Sequence, residues 1–177
     1  MGAKAFTEFP SGTPLSADYG IYTENSHHNL IRNCTIANIR PLVEGHHGHG
    51  IALRLSSHHN QVANCKSSDL LEHFVVGEEG YENEFVDCEA HDSGGWKAIK
   101  GTHSDGVVAR FGAHDNRFIN CQSVGCTKGI ALWTMEPNPN AEWITENVQR
   151  RNVFRNCIVV GPEKERPAEQ YGIVLDR

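Results

Sequence analysis

The chain has 177 residues with a net charge of −6, 38% apolar and 21% charged residues, which is enough to bury the core of one domain. The acidic balance argues against a general nucleic-acid binder, which needs a basic footprint, and no apolar run is long enough to span a membrane.

Residues 1–19 are rich in Pro, Gly, Ser and Thr and read as an N-terminal cap or arm. They lack the apolar core of a signal peptide. From residue 20 to 177 one sentence is repeated. Five motifs of the form Asn-x-apolar-x-Asn/Asp-Cys follow one another: NLIRNC (29–34), NQVANC (60–65), NEFVDC (83–88), NRFINC (116–121) and NVFRNC (152–157). Each follows an opening run, such as GIALR at 50–54 or GVVAR at 106–110. The first and third residues after the opening position are mostly apolar (Ile51 and Leu53, Phe74 and Val76, Ile130 and Leu132), which is strand periodicity. The second run centres on Ile31, Val62, Phe85, Phe118 and Phe154. The Asn or Asp two residues later (Asn33, Asn64, Asp87, Asn120, Asn156) tolerates left-handed backbone and bends the chain so that the next Cys also turns inward.

Units this short and strand-like cannot bury a face alone. They predict a solenoid of short strands, each paired in parallel with its equivalent one turn away. Five of the six cysteines share one repeat position, so they are expected to stack as reduced, buried thiols. Connections from Cys to the next opening alternate long and short, which places long loops at one corner. A separate insertion spans 135–146. The last residues, GIVLDR, read as an interrupted repeat, so a longer parent chain or a homo-oligomer is the expected setting.

The repeat resembles the right-handed parallel β-helices of secreted polysaccharide-active proteins, including pectate and alginate lyases, C5 epimerases, polygalacturonases and phage tailspikes. The resemblance implies an all-β, right-handed parallel β-helix of about six turns, a secreted or cell-surface location, and an acidic polysaccharide as partner. Residues 105–121 (DGVVARFGAHDNRFINC) are similar to a segment of family 9 pectate lyases, with Arg110 where that family has a lysine base. Where that family carries its calcium carboxylates, this chain reads Thr127, Lys128 and Gly129. Calcium is thus the one cofactor the resemblance raises, and none is required.

The fourth residue after each opening position should face outward, giving a column of Glu24, Arg54, Gly77, Arg110, Trp133 and Asp176. Arg54 and Arg110, two turns apart, would lie about 10 Å from one another and could hold two carboxylates of an acidic glycan, with Trp133 stacked on a sugar. The alternative is a solvated strand face. The stretches HGHGIALR (47–54) and HSDGVVAR (103–110) match each other and bring His49, His103, Asp105 and Arg110 to one corner. β-Elimination needs carboxylate neutralisation, a base and an acid. The expected catalytic groups are Arg110, His103, Lys100 and His49, and the expected substrate contacts are Arg54, Trp133, Lys97 and Asp105. The reading that follows is a lyase for a uronate-containing glycan. The alternatives are a non-catalytic glycan-binding or structural segment, and a glycoside hydrolase or C5 epimerase on the same scaffold. His27, His58 and His114 share a column with Tyr81 and Arg150 and read as turn positions. No metal site is expected, because the His46, His47 and His49 cluster lacks a fourth ligand for zinc.

Overall fold

The computed structural model describes residues 19–39, 48–92, 105–133, 149–161 and 171–175. The proposed N-terminal arm, the insertion at 135–146 and Asp176 lie outside the described residues.

Each coil consists of one longer strand and two short ones. The first coil holds β1 (Tyr19–Glu24), β2 (Leu30–Arg32) and β3 (Thr35–Ala37). The second holds β4 (His49–Arg54), β5 (Gln61–Ala63) and β6 (Lys66–Ser68). The third holds β7 (Glu72–Val76), β8 (Glu84–Val86) and β9 (Glu89–His91). The fourth holds β10 (Asp105–Arg110), β11 (Arg117–Ile119) and β12 (Gln122–Val124). The fifth holds β13 (Lys128–Trp133), β14 (Val153–Arg155) and β15 (Ile158–Val160), and β16 (Tyr171–Leu175) opens a sixth. Every pairing is parallel and joins equivalent strands of successive coils, giving sheets ordered β1-β4-β7-β10-β13-β16, β14-β11-β8-β5-β2 and β15-β12-β9-β6-β3. The chain is a parallel β-helix of five full coils and the start of a sixth. The segments 40–47, 93–104 and 162–170 all connect the third sheet to the first, whereas β6–β7 and β12–β13 are joined by short turns there. The alternation of long and short connections is therefore confined to one corner.

The columns explain the motif. Ile51, Phe74, Val107 and Ile130 stack inward, as do Leu53, Val76 and Ala109, together with Val62, Phe85 and Phe118 from the second sheet. Phe118 stacks on Phe85 at 5.1 Å and on Phe154 at 4.6 Å. Each fully buried phenyl contributes roughly 1.5–3 kcal/mol. Asn33, Asn64, Asp87, Asn120 and Asn156 have φ of 50–56°, the left-handed bend expected of them. All six cysteines are free, and Cys65, Cys88 and Cys121 are buried.

The first Asn of each motif has a stronger role than a turn signal. Asn29, Asn60, Asn83, Asn116 and Asn152 form an unbroken amide ladder. In each step the Nδ2 group donates to Oδ1 of the next Asn, at 2.9–3.1 Å. The backbone N–H donates to the same oxygen at 2.9–3.1 Å. Asn60, Asn83, Asn116 and Asn152 also donate to a backbone carbonyl of the preceding coil. An amide both gives and accepts, so a column of identical Asn satisfies itself in the interior, where unpaired polar groups are costly.

Candidate functional site

The candidate site is the outer face of the first sheet. Three residue columns build it. The position before each opening residue aligns Tyr19, His49, Glu72, Asp105 and Lys128 on successive coils. The second position after it aligns Tyr22, Ala52, Val75, Val108 and Ala131; the last four form a buried apolar stripe, with Tyr19, Tyr22 and Trp133 packed against it half-buried. The fourth position aligns Glu24 with Arg54 and Arg110 with Trp133. Gly77 lies between the two arginines. A Cβ there would sit 3.4 Å from Arg110 Cγ and 4.0 Å from Arg54 Cγ, so both stems fold over this bare rung.

The middle coils of this outer face are not solvated. His49, Glu72 and Asp105 are buried, the two arginines, Lys128 and the indole of Trp133 reach solvent in part, and Glu24 on the first coil is exposed. Burial forces the charges to pair. Arg110 Nη1 donates to both Glu72 oxygens at 3.0 Å. His49 Nδ1 lies 2.9 Å from Glu72 Oε2, an approach without the alignment of a hydrogen bond. The Tyr19 ring stacks on His49 at 4.7 Å. Arg54 grips buried Glu78 through Nε, at 2.5 Å, and through Nη2, and donates through Nη1 to the Tyr19 hydroxyl at 2.6 Å. Trp133 Nε1 donates to Asp105 Oδ2 at 3.1 Å, and Lys128 Nζ sits 3.7 Å over the Trp133 ring.

Asp105 is the unusual member. Burial, and then the neighbouring Glu72 carboxylate, push its pKa up to about 7 against the opposing pull of Lys128, the Trp133 hydrogen bond and Arg110. Its Oδ1 has no hydrogen-bond partner, and neither does buried Arg110 Nε on the same strand. Arg54 behaves in the opposite way. Burial works to lower its pKa, but the Glu78 hydrogen bonds and charge outweigh that and raise it. Burial and then the Glu24 charge lift the Tyr22 phenol to about 12. The arrangement can hold a proton near neutral pH at Asp105, beside a fixed guanidinium.

Five of the expected site residues, His49, Arg54, Asp105, Arg110 and Trp133, lie on this face. Asp105, Arg110 and Trp133 form one group on adjacent strands, with His49 joined through Glu72. Arg54 belongs to a separate pair with Glu78, two coils away from Arg110. The expectation that the two arginines offer free forks to a glycan is corrected, as is the alternative of a solvated charged face. Each arginine already holds a carboxylate of this chain, because a guanidinium folded onto a buried face needs one. His103, Lys100 and Lys97 lie outside the described residues. Sequence reasoning missed Glu72, Glu78, Lys128 and Tyr19. Glu72 was findable: it precedes His73, which stands where other repeats have Gly, and so shares a column with His49 and Asp105. Glu78 sits in a turn at φ 44°, and nothing in the repeat flags it. Among the described residues no group of three or more His, Cys, Asp or Glu side chains is arranged to hold a metal ion.

No curated protein and no solved structure matches the chain. A family model described as the right-handed beta helix region matches residues 19–177, a stretch that contains every described strand. With parallel sheets built coil upon coil across the described residues of that match, the chain belongs to the right-handed β-helix region family.

Proposed function

We propose that this protein is a polysaccharide-active β-helix that acts on an acidic, uronate-containing glycan at the outer face of the first sheet, by β-elimination. The observation that carries the reading is Asp105. It is buried, one of its oxygens lacks a partner, and burial with the Glu72 charge pushes its pKa up to about 7. A proton-transfer group works best when its pKa lies near the working pH. Asp105 is therefore suited to take the C5 proton of a uronate or to return one to the leaving oxygen. Arg110, held by Glu72, offers its unpaired Nε–H to developing negative charge. It stands where the similar pectate lyase segment has a basic residue, but its part here is electrostatic, since a guanidinium held by a carboxylate is not a base. Trp133 and Lys128 form the half-exposed edge at which a sugar ring and its carboxylate would arrive.

A second reading is favoured by one observation. Glu72 and Asp105 are carboxylates on adjacent rungs with unequal surroundings, the arrangement that divides acid and base roles in glycoside hydrolysis. Incubation with polygalacturonate, alginate and glycosaminoglycans separates the two. Unsaturated product absorbance reports elimination, and new reducing ends without it report hydrolysis. Arg110→Ala should abolish turnover and keep part of the binding, while Trp133→Ala should mainly weaken binding. Binding that is lost with Trp133→Ala, without turnover of any substrate, would replace both readings with a glycan-binding module. No binding and no turnover would refute a glycan role at this face.

A further inference from the structure

We propose that the paired histidines at the corner between the first and second sheets, His58 and His59 foremost, chelate a divalent transition ion of square or octahedral preference, copper(II) or nickel(II) by class. This corner is separate from the outer face discussed above. It carries two equivalent pairs, His27–His28 and His58–His59, on successive coils. Within each pair the two Nδ1 atoms converge to 2.8 Å. Across coils the rings stack, His27 on His58 at 4.9 Å and His28 on His59 at 5.1 Å. The convergence follows from the backbone. His27 and His58 sit in a parallel bridge, while His28 and His59 adopt φ of 57° and 53°, which swings the second ring back beside the first.

Two nitrogens 2.8 Å apart, each about 2.0 Å from one ion, subtend about 90° at it, the cis angle of a tetragonal or octahedral centre. A tetrahedral zinc ion would need about 3.3 Å, so the bite selects by geometry. The site is a two-nitrogen chelate completed by solvent, which is consistent with the absence of three-ligand groups among the described residues.

The tautomer also fits. Glu82 Oε2 lies 3.0 Å from His59 Nε2, a carboxylate placed to favour a hydrogen on that nitrogen and so to leave Nδ1 to ligate. A carboxylate behind the far nitrogen is the usual outer-shell support of a metal-bound imidazole. With that tautomer, the 2.8 Å contact is a donation from His58 Nδ1–H to His59 Nδ1 when no ion is present. On binding, His58 shifts that hydrogen to Nε2 and both Nδ1 atoms ligate. The pair is open to solvent, with the His59 side chain 45% exposed.

The test is titration of the full chain with copper(II) at pH 7, followed by calorimetry and by electron paramagnetic resonance for nitrogen hyperfine coupling. A double variant, His46→Ala with His47→Ala, removes the other histidine-rich segment. In that background the spectrum should still report two imidazole nitrogens. His58→Ala and His59→Ala should each weaken binding by more than about tenfold, the least that even an outer-shell loss costs. Glu82→Gln should weaken it less, and His114→Ala should leave it unchanged. Circular dichroism checks that each variant folds, as exposed corner substitutions should allow. Unchanged affinity after both His58→Ala and His59→Ala, or a spectrum without coupled nitrogens, would overturn the proposal.

Discussion

Asp105→Asn tests whether the outer face stores a cost that function would justify. The folded carboxyl titrates near 7 rather than 3.8 because burial and Glu72 disfavour its anion. Its raised pKa means that folded chains hold a proton which unfolded chains have lost between about pH 4 and 7. Stability from this group therefore falls as pH rises through that window, and the full penalty stands above it. A rise from 3.8 to about 7 corresponds to roughly 4 kcal/mol. Part of that belongs to the Glu72 pairing, so Asn should raise stability by about 2–4 kcal/mol at pH 8. Asn keeps an acceptor for Trp133 Nε1 and adds no bulk. Near pH 4, where Asp105 is already neutral, the two proteins should differ little. Urea unfolding of both at pH 4 and pH 8 gives the comparison, since other titrating groups largely cancel in the difference. Turnover of any glycan substrate should disappear in the variant. A variant that is less stable at pH 8, or equally shifted at both pH values, would refute the account of Asp105 as a strained, protonatable acid.

Two architectural predictions accompany it. Asn116 makes two side-chain donations, to Gly80 O and Asn152 Oδ1, and accepts two from Asn83, so Asn116→Ala strands buried partners on both sides and should cost about 3–5 kcal/mol in urea unfolding; a loss under about 1 kcal/mol would mean the amide ladder is not a stabilising element. Gly106→Ala would set a Cβ 2.1 Å from Ser123 Oγ and 2.7 Å from the Gly129 carbonyl; the backbone contact cannot yield by a rotamer change, so the thermal midpoint should fall sharply, and an unchanged midpoint would show that the two sheets can separate there.

The fold was legible because a solenoid writes one rule many times. Ile51 and Leu53, Phe74 and Val76, and the Asn-to-Cys step repeat often enough that period-two apolar spacing and left-handed Asn bends stand out from a single sequence. The columns could even be aligned by eye, so the outward placement of Arg54, Arg110 and Trp133 was also accessible. What those side chains do was not. Arg54 meets Glu78 across 24 residues and Arg110 meets Glu72 across 38, and each contact depends on turn geometry and on the bare rung at Gly77. Solvation was misread for a similar reason. Alternating apolar residues announce one buried face, yet Ala52, Val75 and Val108 bury the opposite face as well. Small and β-branched residues at those positions were the available sign.

Column logic also indicates where this chain departs from pure architecture. In a parallel coil every residue meets its own counterpart one turn away. Asn beside Asn is self-satisfying, Phe beside Phe stacks, and Cys beside Cys packs. Carboxylate beside carboxylate has no such solution: one of the two must hold a proton or borrow a cation. The column His28, His59, Glu82, Asp115 and Arg151 meets the problem at the surface, where Arg151 pairs with Asp115 and exposed Glu82 is screened by solvent. The column through Glu72 and Asp105 meets it in the interior. Arg110 goes to Glu72, and Asp105 is left with one indole donor, a raised pKa and an unpartnered oxygen. Stability alone would favour an amide at that rung, as the Asn ladder on the neighbouring face shows. An acid kept there against its own solvation is therefore where selection for chemistry, rather than for the coil, is to be sought.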